Sequence, residues 1–130
     1  MDFESALEAE MSSVAELGGR IYPLHEATKK NGVPYLIYAS SEGLLDKSLD
    51  GFLKSKEVRG ELNVVAARYG DMKAITKKVI ALLIAFEGRQ IGTNGPFIEE
   101  LTYQMPIELY EEQPALHRCM IEFQVYFGEE

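Results

Sequence analysis

The chain contains one run of residues whose spacing matches a calcium-binding loop. Residues 46–57 place oxygen-bearing side chains at four ligand positions and a glycine at the tight turn; the candidate ligands are Asp46, Ser48, Asp50 and Glu57. This is the pattern of an EF-hand. However, an EF-hand needs a helix on each side of the loop, and three lysines inside this loop oppose a cation. Because the flanking sequences have strand patterns, a polar turn within a protein-binding loop is the favoured interpretation.

Residues that could act as nucleophiles or transition-metal ligands are few and are not grouped. Neither histidine, His25 or His117, lies at metal-ligand spacing from the other or from the single cysteine, Cys119. Cys119 falls on the same side of its predicted strand as Ile121 and Phe123, which indicates a buried thiol. No serine lies in the Gly-x-Ser-x-Gly sequence that activates a nucleophile. We therefore expect a protein that is not an enzyme, with no catalytic residues and no cofactor.

The acidic and glycine-rich sequences also have simple structural interpretations. Glu99–Glu100 and Glu111–Glu112 are adjacent pairs, and neighbours on a strand point to opposite faces, so neither pair forms an acid–base couple. The glycine-rich segment 88–95 follows a helix pattern, whereas a phosphate-binding loop follows a strand and opens into a helix. We interpret the acids as a solvated surface and the glycines as a turn.

Length and composition favour one folded domain, residues 1–130, made and kept in the cytosol. A 46% hydrophobic content is enough for a core. The N-terminus lacks the pattern of a secretory signal, and no apolar run is long enough to cross a membrane. The net charge is −8, and residues 97–130 hold eight acids and one base. This charge argues against ordinary nucleic-acid binding but is compatible with a surface past which DNA slides.

The hydrophobic periodicity predicts an α+β fold. Helical spacing is present in residues 3–17 and 69–86, and strand patterns are present in residues 21–24, 33–40, 57–66, 97–105 and 115–127. We expect a mostly antiparallel sheet of about five strands, with two helices packed on one face. Pro23 places the first strand at an edge. A long polar loop, residues 41–56, interrupts this order and carries scattered apolar residues, so we expect it to bind a partner.

Several local sequences together resemble a known family. They are Pro34–Tyr38, the loop at Asp46–Leu53, the alternating strand 57–66, the helix 69–86 and the turn Gly92–Pro96. In this order they resemble the tail completion, or tail terminator, proteins of long-tailed bacteriophages and prophages. The resemblance covers nearly the whole chain, and its motifs are structural rather than chemical.

The resemblance implies a small subunit that is soluble as a monomer and forms a hexameric ring on the tail tube. Such a ring stops polymerisation of the tube and joins the tail to the head connector. The implied partners are the tail tube protein and the head-connector or head-closure protein, and DNA passes without specific binding. The implied location is the virion tail, after assembly in the bacterial host cytoplasm. The interaction segments would be the acidic segment Glu108–Gln113 and a loop whose candidate interface residues are Leu45, Asp46, Leu49, Asp50, Phe52 and Leu53.

An acidic ring lining would repel phosphates and let DNA pass. The candidate lumen residues are Glu99, Glu100, Glu108, Glu111 and Glu112. Two other functions remain open: a head-closure or connector subunit from the same assembly, and a calcium-binding interaction module. A small hydrolase that uses Cys119 and a histidine has no support from residue spacing.

Overall fold

The computed structural model describes residues 2–24, 32–41, 55–112 and 115–128. Within these ranges the chain forms two α-helices, seven strands and one short 3-10 helix. In chain order these are α1 (Phe3–Met11), the 3-10 turn (Ala15–Leu17), β1 (Ile21–Pro23), β2 (Tyr35–Ser40), β3 (Ser55–Ala66), α2 (Tyr69–Phe86), β4 (Arg89–Gln90), β5 (Phe97–Tyr103), β6 (Ile107–Glu111) and β7 (Leu116–Gly128). The predicted α+β class is therefore confirmed.

All seven described strands belong to one mixed sheet. The strand order is β1-β2-β3-β7-β5-β4, and β6 pairs with β7 beside β5. β1 runs parallel to β2, and every other described pair is antiparallel. The expectation of a mostly antiparallel sheet of about five strands is thus wrong in strand number and in the parallel edge. β1 is an edge strand as Pro23 predicted, and β2 lies between β1 and β3 with buried residues on both faces.

The long strand β7 organises one half of the sheet. β3 pairs along it from Ser55 opposite Gly128 to Ala66 opposite His117. On its other side β7 pairs first with β6 and then with β5. The backbone N–H of Gln104, between β5 and β6, donates to the carbonyl of Glu122 (2.9 Å). β5 and β6 are therefore one interrupted strand along β7.

Strand β6 was not predicted, because residues 108–113 were expected to form a segment that connects the last two strands. Its residues are exposed or half-buried throughout, so no alternation between buried and exposed positions marks it as a strand. Strand β4 has only two residues and lies inside the predicted turn 88–95.

Helix α1 is shorter than the predicted helix 3–17. The side chain of Asp2 caps its first turn by accepting from the Ser5 N–H (2.8 Å). The hydroxyls of Ser12 and Ser13 donate to the carbonyls of Glu8 and Glu10, a local interaction that competes with helix continuation. The apolar positions that suggested a longer helix are still buried, since the 3-10 turn also faces the core. Gly18, with φ of 56°, ends this segment.

Both helices pack on the same face of the sheet, as predicted. α1 buries Phe3, whose ring lies 6.1 Å from that of Phe123 and 6.0 Å from that of Phe127. α2 has the predicted bounds and buries Met72, Ile75, Thr76, Val79, Leu83 and Phe86. No helix among the described residues is long and apolar enough to cross a membrane.

A carboxylate joins α1 to the turn that follows β4. The Glu10 side chain accepts from Arg89 Nη2 (2.7 Å) and Nη1 (3.1 Å) and from the Gly92 N–H (2.8 Å). The hydrogen bonds from Arg89 are the main cause that lowers the pKa of Glu10. Because Glu10 is mostly buried, this contact fixes the predicted turn 88–95 against the first helix.

Candidate interaction surface

We call the sheet face opposite the two helices the outer face. On this face, the C-terminal half of β7 carries polar side chains. Glu122 and Tyr126 are exposed there and Gln124 is half-buried. Glu57 accepts from Arg59 Nε (3.3 Å) and from Gln124 Nε2. These contacts order the polar side chains into a network across β3 and β7.

Two glutamates lie opposite each other on the outer face. Glu61 on β3 is the register partner of Glu122 on β7, and like charges in directly opposite positions destabilise a sheet. Glu61 accepts a hydrogen bond from the side chain of Asn63 (2.8 Å). No cation within the described ranges forms an ion pair with either carboxylate. This position therefore favours a positive charge from another molecule.

A recess opens beside these carboxylates. It has a volume of about 520 Å³ and is lined in part by Arg59, Thr102, Gln104, Glu122 and Gln124. It lies at the end of β5, beside β7. The recess therefore offers both a cationic and an anionic group at the surface.

Exposed apolar side chains are concentrated at β6 and the turn before it. Met105 is 86% exposed, and Ile107 and Leu109 are each 47% exposed. Ile107 and Leu109 pair with Met120 and Arg118 of β7, on the outer face. Because these side chains contribute little to the monomer's core, they are available to a partner.

The five candidate lumen acids do not share one face. Glu100 is opposite Tyr126 and therefore points to the outer face, whereas Glu99 lies at the irregularity in β5. Glu99, Glu100 and Glu112 are exposed. Glu108 and Glu111 are the second and fifth residues of β6; Glu108 is exposed and Glu111 is half-buried.

Two of these acids are paired with cations. The Glu108 carboxylate accepts from Lys73 Nζ (2.7 Å) and from the Tyr69 hydroxyl (3.1 Å). The hydrogen bond from Lys73 chiefly lowers the pKa of Glu108. Glu111 Oε1 lies 3.6 Å from Arg118 Nη2. These cations therefore offset much of the negative charge that Glu108 and Glu111 were expected to present to DNA.

The predicted interaction segment Glu108–Gln113 is corrected in part. Glu108–Glu111 is strand β6 rather than a loop, and Gln113 lies outside the described residues. Its register is set by β7, and the two carboxylates just described hold it to α2 and β7. The segment is thus a fixed edge with exposed side chains.

The described part of the calcium pattern is a strand. Glu57, the last candidate ligand, is the third residue of β3, and its carboxylate already accepts from Arg59 and Gln124. The other three candidate ligands, Asp46, Ser48 and Asp50, lie outside the described residues, as do the loop residues Leu45, Leu49, Phe52 and Leu53. Within the described ranges, no three His, Cys, Asp or Glu side chains are grouped to hold a metal ion.

The two residues of β7 that could take part in chemistry, Cys119 and His117, lie among other side chains of the fold. Cys119 is buried, and burial raises the pKa of its thiol. The ring of His117 lies 4.8 Å from that of Tyr110 and 5.6 Å from that of Tyr69. The predicted orientation of Cys119 toward the core is confirmed, and His25 lies outside the described residues.

Comparison with known proteins identifies a shared fold. No family model and no curated protein matches this sequence. Among solved structures, the chain is similar to a chain of the virion of a native gene transfer agent particle. The TM-score is 0.62, the alignment covers 97% of this chain and 94% of that chain, and 14% of residues are identical. The chain therefore has, over almost its whole length, the fold of a protein found in that virion.

Proposed function

We propose that this chain is a structural protein of a phage-type virion that caps the tail tube. In this role it binds the tube end, stops further polymerisation and forms the interface to the head connector, as a hexameric ring. The observation that carries the proposal is the similarity in fold to a virion chain, because it spans both chains almost completely. A match over 94% of the other chain means that the similarity is to the whole subunit and not to a shared module.

The surface of the chain supports an assembly role. The exposed residues of β7 on the outer face and the exposed apolar residues on β6 give two surfaces on which another subunit can pack. Contiguous exposed apolar residues are a common sign of a protein–protein interface. The register of β6 is fixed by β7, so this surface is already ordered before a partner arrives, which reduces the entropy lost on binding.

The acidic residues fit a passage for DNA only in part. Glu99, Glu100 and Glu112 are exposed and have no ion pair with a described cation, so these three contribute most of the repulsive field. Glu108 and Glu111 contribute less, since Lys73 and Arg118 neutralise them. We therefore expect Glu99, Glu100 and Glu112 to face the lumen of the ring, and an assembled ring with these three acids on its outer rim would contradict this.

The proposed function is tested with purified protein and the tail tube protein encoded beside it. The mass of the protein in solution is measured alone and with tubes, and tube ends are imaged by electron microscopy. Capped tubes of fixed length are the expected result. Binding to the head connector, with no effect on tubes, would replace this proposal by a head-closure role. Absence of heat on calorimetric titration with millimolar calcium would separately exclude the calcium module.

Substitutions test whether β6 and the 41–56 loop take part in capping. Leu109→Ser removes an exposed apolar side chain from β6 and should abolish capping while the monomer remains folded. Leu24→Ser is the matched control, because Leu24 is also exposed but lies beside the opposite edge of the sheet. The combined change of Leu49, Phe52 and Leu53 to Ser tests the 41–56 loop, and unfolding of that variant would place these residues in the monomer's core.

A further inference from the structure

The surface of α2 that faces away from the sheet carries a strip of small and apolar residues between charged ones. Its exposed ridge consists of Ala74, Lys77, Ala81, Ile84 and Ala85. A helix that packs one side on a sheet normally carries charged and polar residues on the other side. On α2 these are Asp71, Lys73 and Lys78, which flank the ridge; within the ridge Lys77 stands among apolar residues, and Ile84 is 53% exposed. This ridge has the composition of a surface that another protein covers.

The outer face of the sheet offers the complementary surface. It presents Ile107 and Leu109 on β6 and the opposed Glu61 and Glu122 on β3 and β7. Lys77 on the α2 ridge belongs to no ion pair within the described ranges. A lysine placed between Glu61 and Glu122 would relieve the repulsion between them, and the small residues beside it would let the helix approach the strands closely.

We propose that copies of this chain associate through a head-to-tail contact in which the α2 ridge of one copy covers the outer face of the next. The two surfaces are unlike and lie on opposite sides of the same sheet. A contact between unlike surfaces repeats from copy to copy and closes into a ring when the rotation permits. The inference deepens the proposed function, because it rests on ring assembly and names the surfaces that the ring uses.

Charge disfavours both symmetric alternatives. Two outer faces packed on each other would bring the Glu61 and Glu122 carboxylates of both copies together, and the exposed Arg59 on that face already pairs with Glu57. Two α2 ridges packed on each other would bring two copies of Lys77 together. Like charges across an interface oppose association, whereas the head-to-tail contact pairs one lysine with the two carboxylates.

The size of the contact indicates when it forms. A helix of 18 residues is about 27 Å long and about 10 Å wide. Its footprint of about 270 Å² is well below the roughly 800 Å² per partner of a typical stable complex. A single contact of this kind is therefore transient in solution. Copies held side by side on a common partner, such as a tube end, would gain several contacts together.

Cysteine cross-linking tests the contact without removing its charges. Ala81→Cys on the ridge and Thr102→Cys on the outer face are introduced into one chain, and a short bis-maleimide reagent captures transient contacts at high protein concentration. A ladder of oligomers is expected, because each copy carries both halves of the contact. The matched control replaces the ridge cysteine with Ala9→Cys, an exposed alanine on α1, and should give no ladder. The chain without added cysteines shows whether the native Cys119 reacts with the reagent.

Different cross-linking patterns would overturn the proposal. Dimers from the Thr102→Cys single variant would show a symmetric contact between outer faces, and dimers from the Ala81→Cys single variant would show one between ridges. An equal ladder from the Ala9 control, or no ladder with or without tubes, would also reject the contact. Circular dichroism of each variant establishes that the fold is intact before cross-linking.

A charge exchange gives an independent test. Lys77→Glu or Glu122→Lys alone should reduce the cross-linked ladder at least tenfold, and the two changes in one chain should restore it, since every contact then pairs opposite charges again. A double variant no better than the single variants would contradict the proposal. The control Glu99→Lys makes the same charge change outside the contact. Cross-linking without tubes tests this inference, whereas tube capping tests the proposed function, so either can fail alone.

Discussion

The Glu10 carboxylate provides the most informative test of how the structure is held together. Glu10→Gln keeps the shape of the side chain but removes its charge. The carboxylate accepts three hydrogen bonds, two from Arg89 and one from the Gly92 N–H. A glutamine has one acceptor oxygen, and its amide group would face the guanidinium, which also has only donors. The variant therefore loses at least one charge-assisted hydrogen bond and leaves a donor without a partner.

The expected loss is about 1–2 kcal/mol in the free energy of unfolding at pH 7. Hydrogen bonds to a charged group contribute about 1.5–3 kcal/mol when well shielded. The side chain of Glu10 is 16% exposed but that of Arg89 is 40% exposed, so solvent screening reduces this value. For a chain of this size the loss corresponds to a decrease in Tm of roughly 4–8 °C.

The same substitution predicts a change in pH dependence. The hydrogen bonds from Arg89 lower the pKa of Glu10 in the folded protein. A carboxyl group with a lowered folded pKa stabilises the protein above its unfolded pKa, near 4.3, and this stabilisation is lost as the pH falls through the folded value. The difference between the parent chain and Glu10→Gln should therefore be largest at neutral pH and shrink in acid.

Urea unfolding followed by circular dichroism, at pH 7 and at several values below about pH 5, measures both effects. Glu16→Gln is the control, since Glu16 pairs with Lys78 on an exposed surface and should change stability little at any pH. A Glu10→Gln variant as stable as the parent at pH 7 would refute the reasoning. A difference that stays constant into acid would show that shape, and not charge, is responsible.

Three further predictions concern the core and its edge. Gly60→Ala should cost about 1–3 kcal/mol, because an added Cβ would lie 2.7 Å from Cε1 of Phe123 and force the ring to move; an unchanged Tm would show that the ring turns aside freely. Cys119 should react with a thiol reagent only after unfolding, because burial raises its pKa and blocks access; reaction of the folded chain would contradict this. Leu109→Ser should change the free energy of unfolding by less than about 0.5 kcal/mol, whereas Leu62→Ala in the core should cost about 2–5 kcal/mol, as measured by urea unfolding.

Sequence periodicity predicted the elements that separate a buried side from an exposed side. α2 has the predicted bounds, Tyr69–Phe86, because its apolar spacing matches its contact with the sheet. The alternation in residues 57–66 likewise predicted β3, which begins two residues earlier. The predicted helix 3–17 was too long because Val14 and Leu17 are buried by a 3-10 turn. Hydrophobic spacing reports burial, and it cannot distinguish that turn from another turn of α-helix.

Other features depend on contacts that sequence spacing cannot supply. β6 was missed because both of its faces are largely exposed. The pairing of Glu108 with Lys73 joins residues 35 positions apart, so adjacency in the sequence gave no sign that this acid is neutralised. The opposition of Glu61 and Glu122 follows only from the register of β3 against β7. Which acids lie opposite one another therefore depends on the strand register.

In the proposed ring, the ion pairs separate the acids at contacts between copies from the acids that would face DNA. On β6, Lys73 and Arg118 neutralise the two carboxylates, so the exposed Ile107 and Leu109 can approach a partner without electrostatic repulsion. Glu61 and Glu122 remain opposed on the outer face, where a lysine from a second copy would neutralise them. Assembly would then neutralise Glu61 and Glu122 at the contact, and Glu99, Glu100 and Glu112 would keep their charge. In a ring built in this way, negative charge would be low at the contacts between copies and high where the DNA passes.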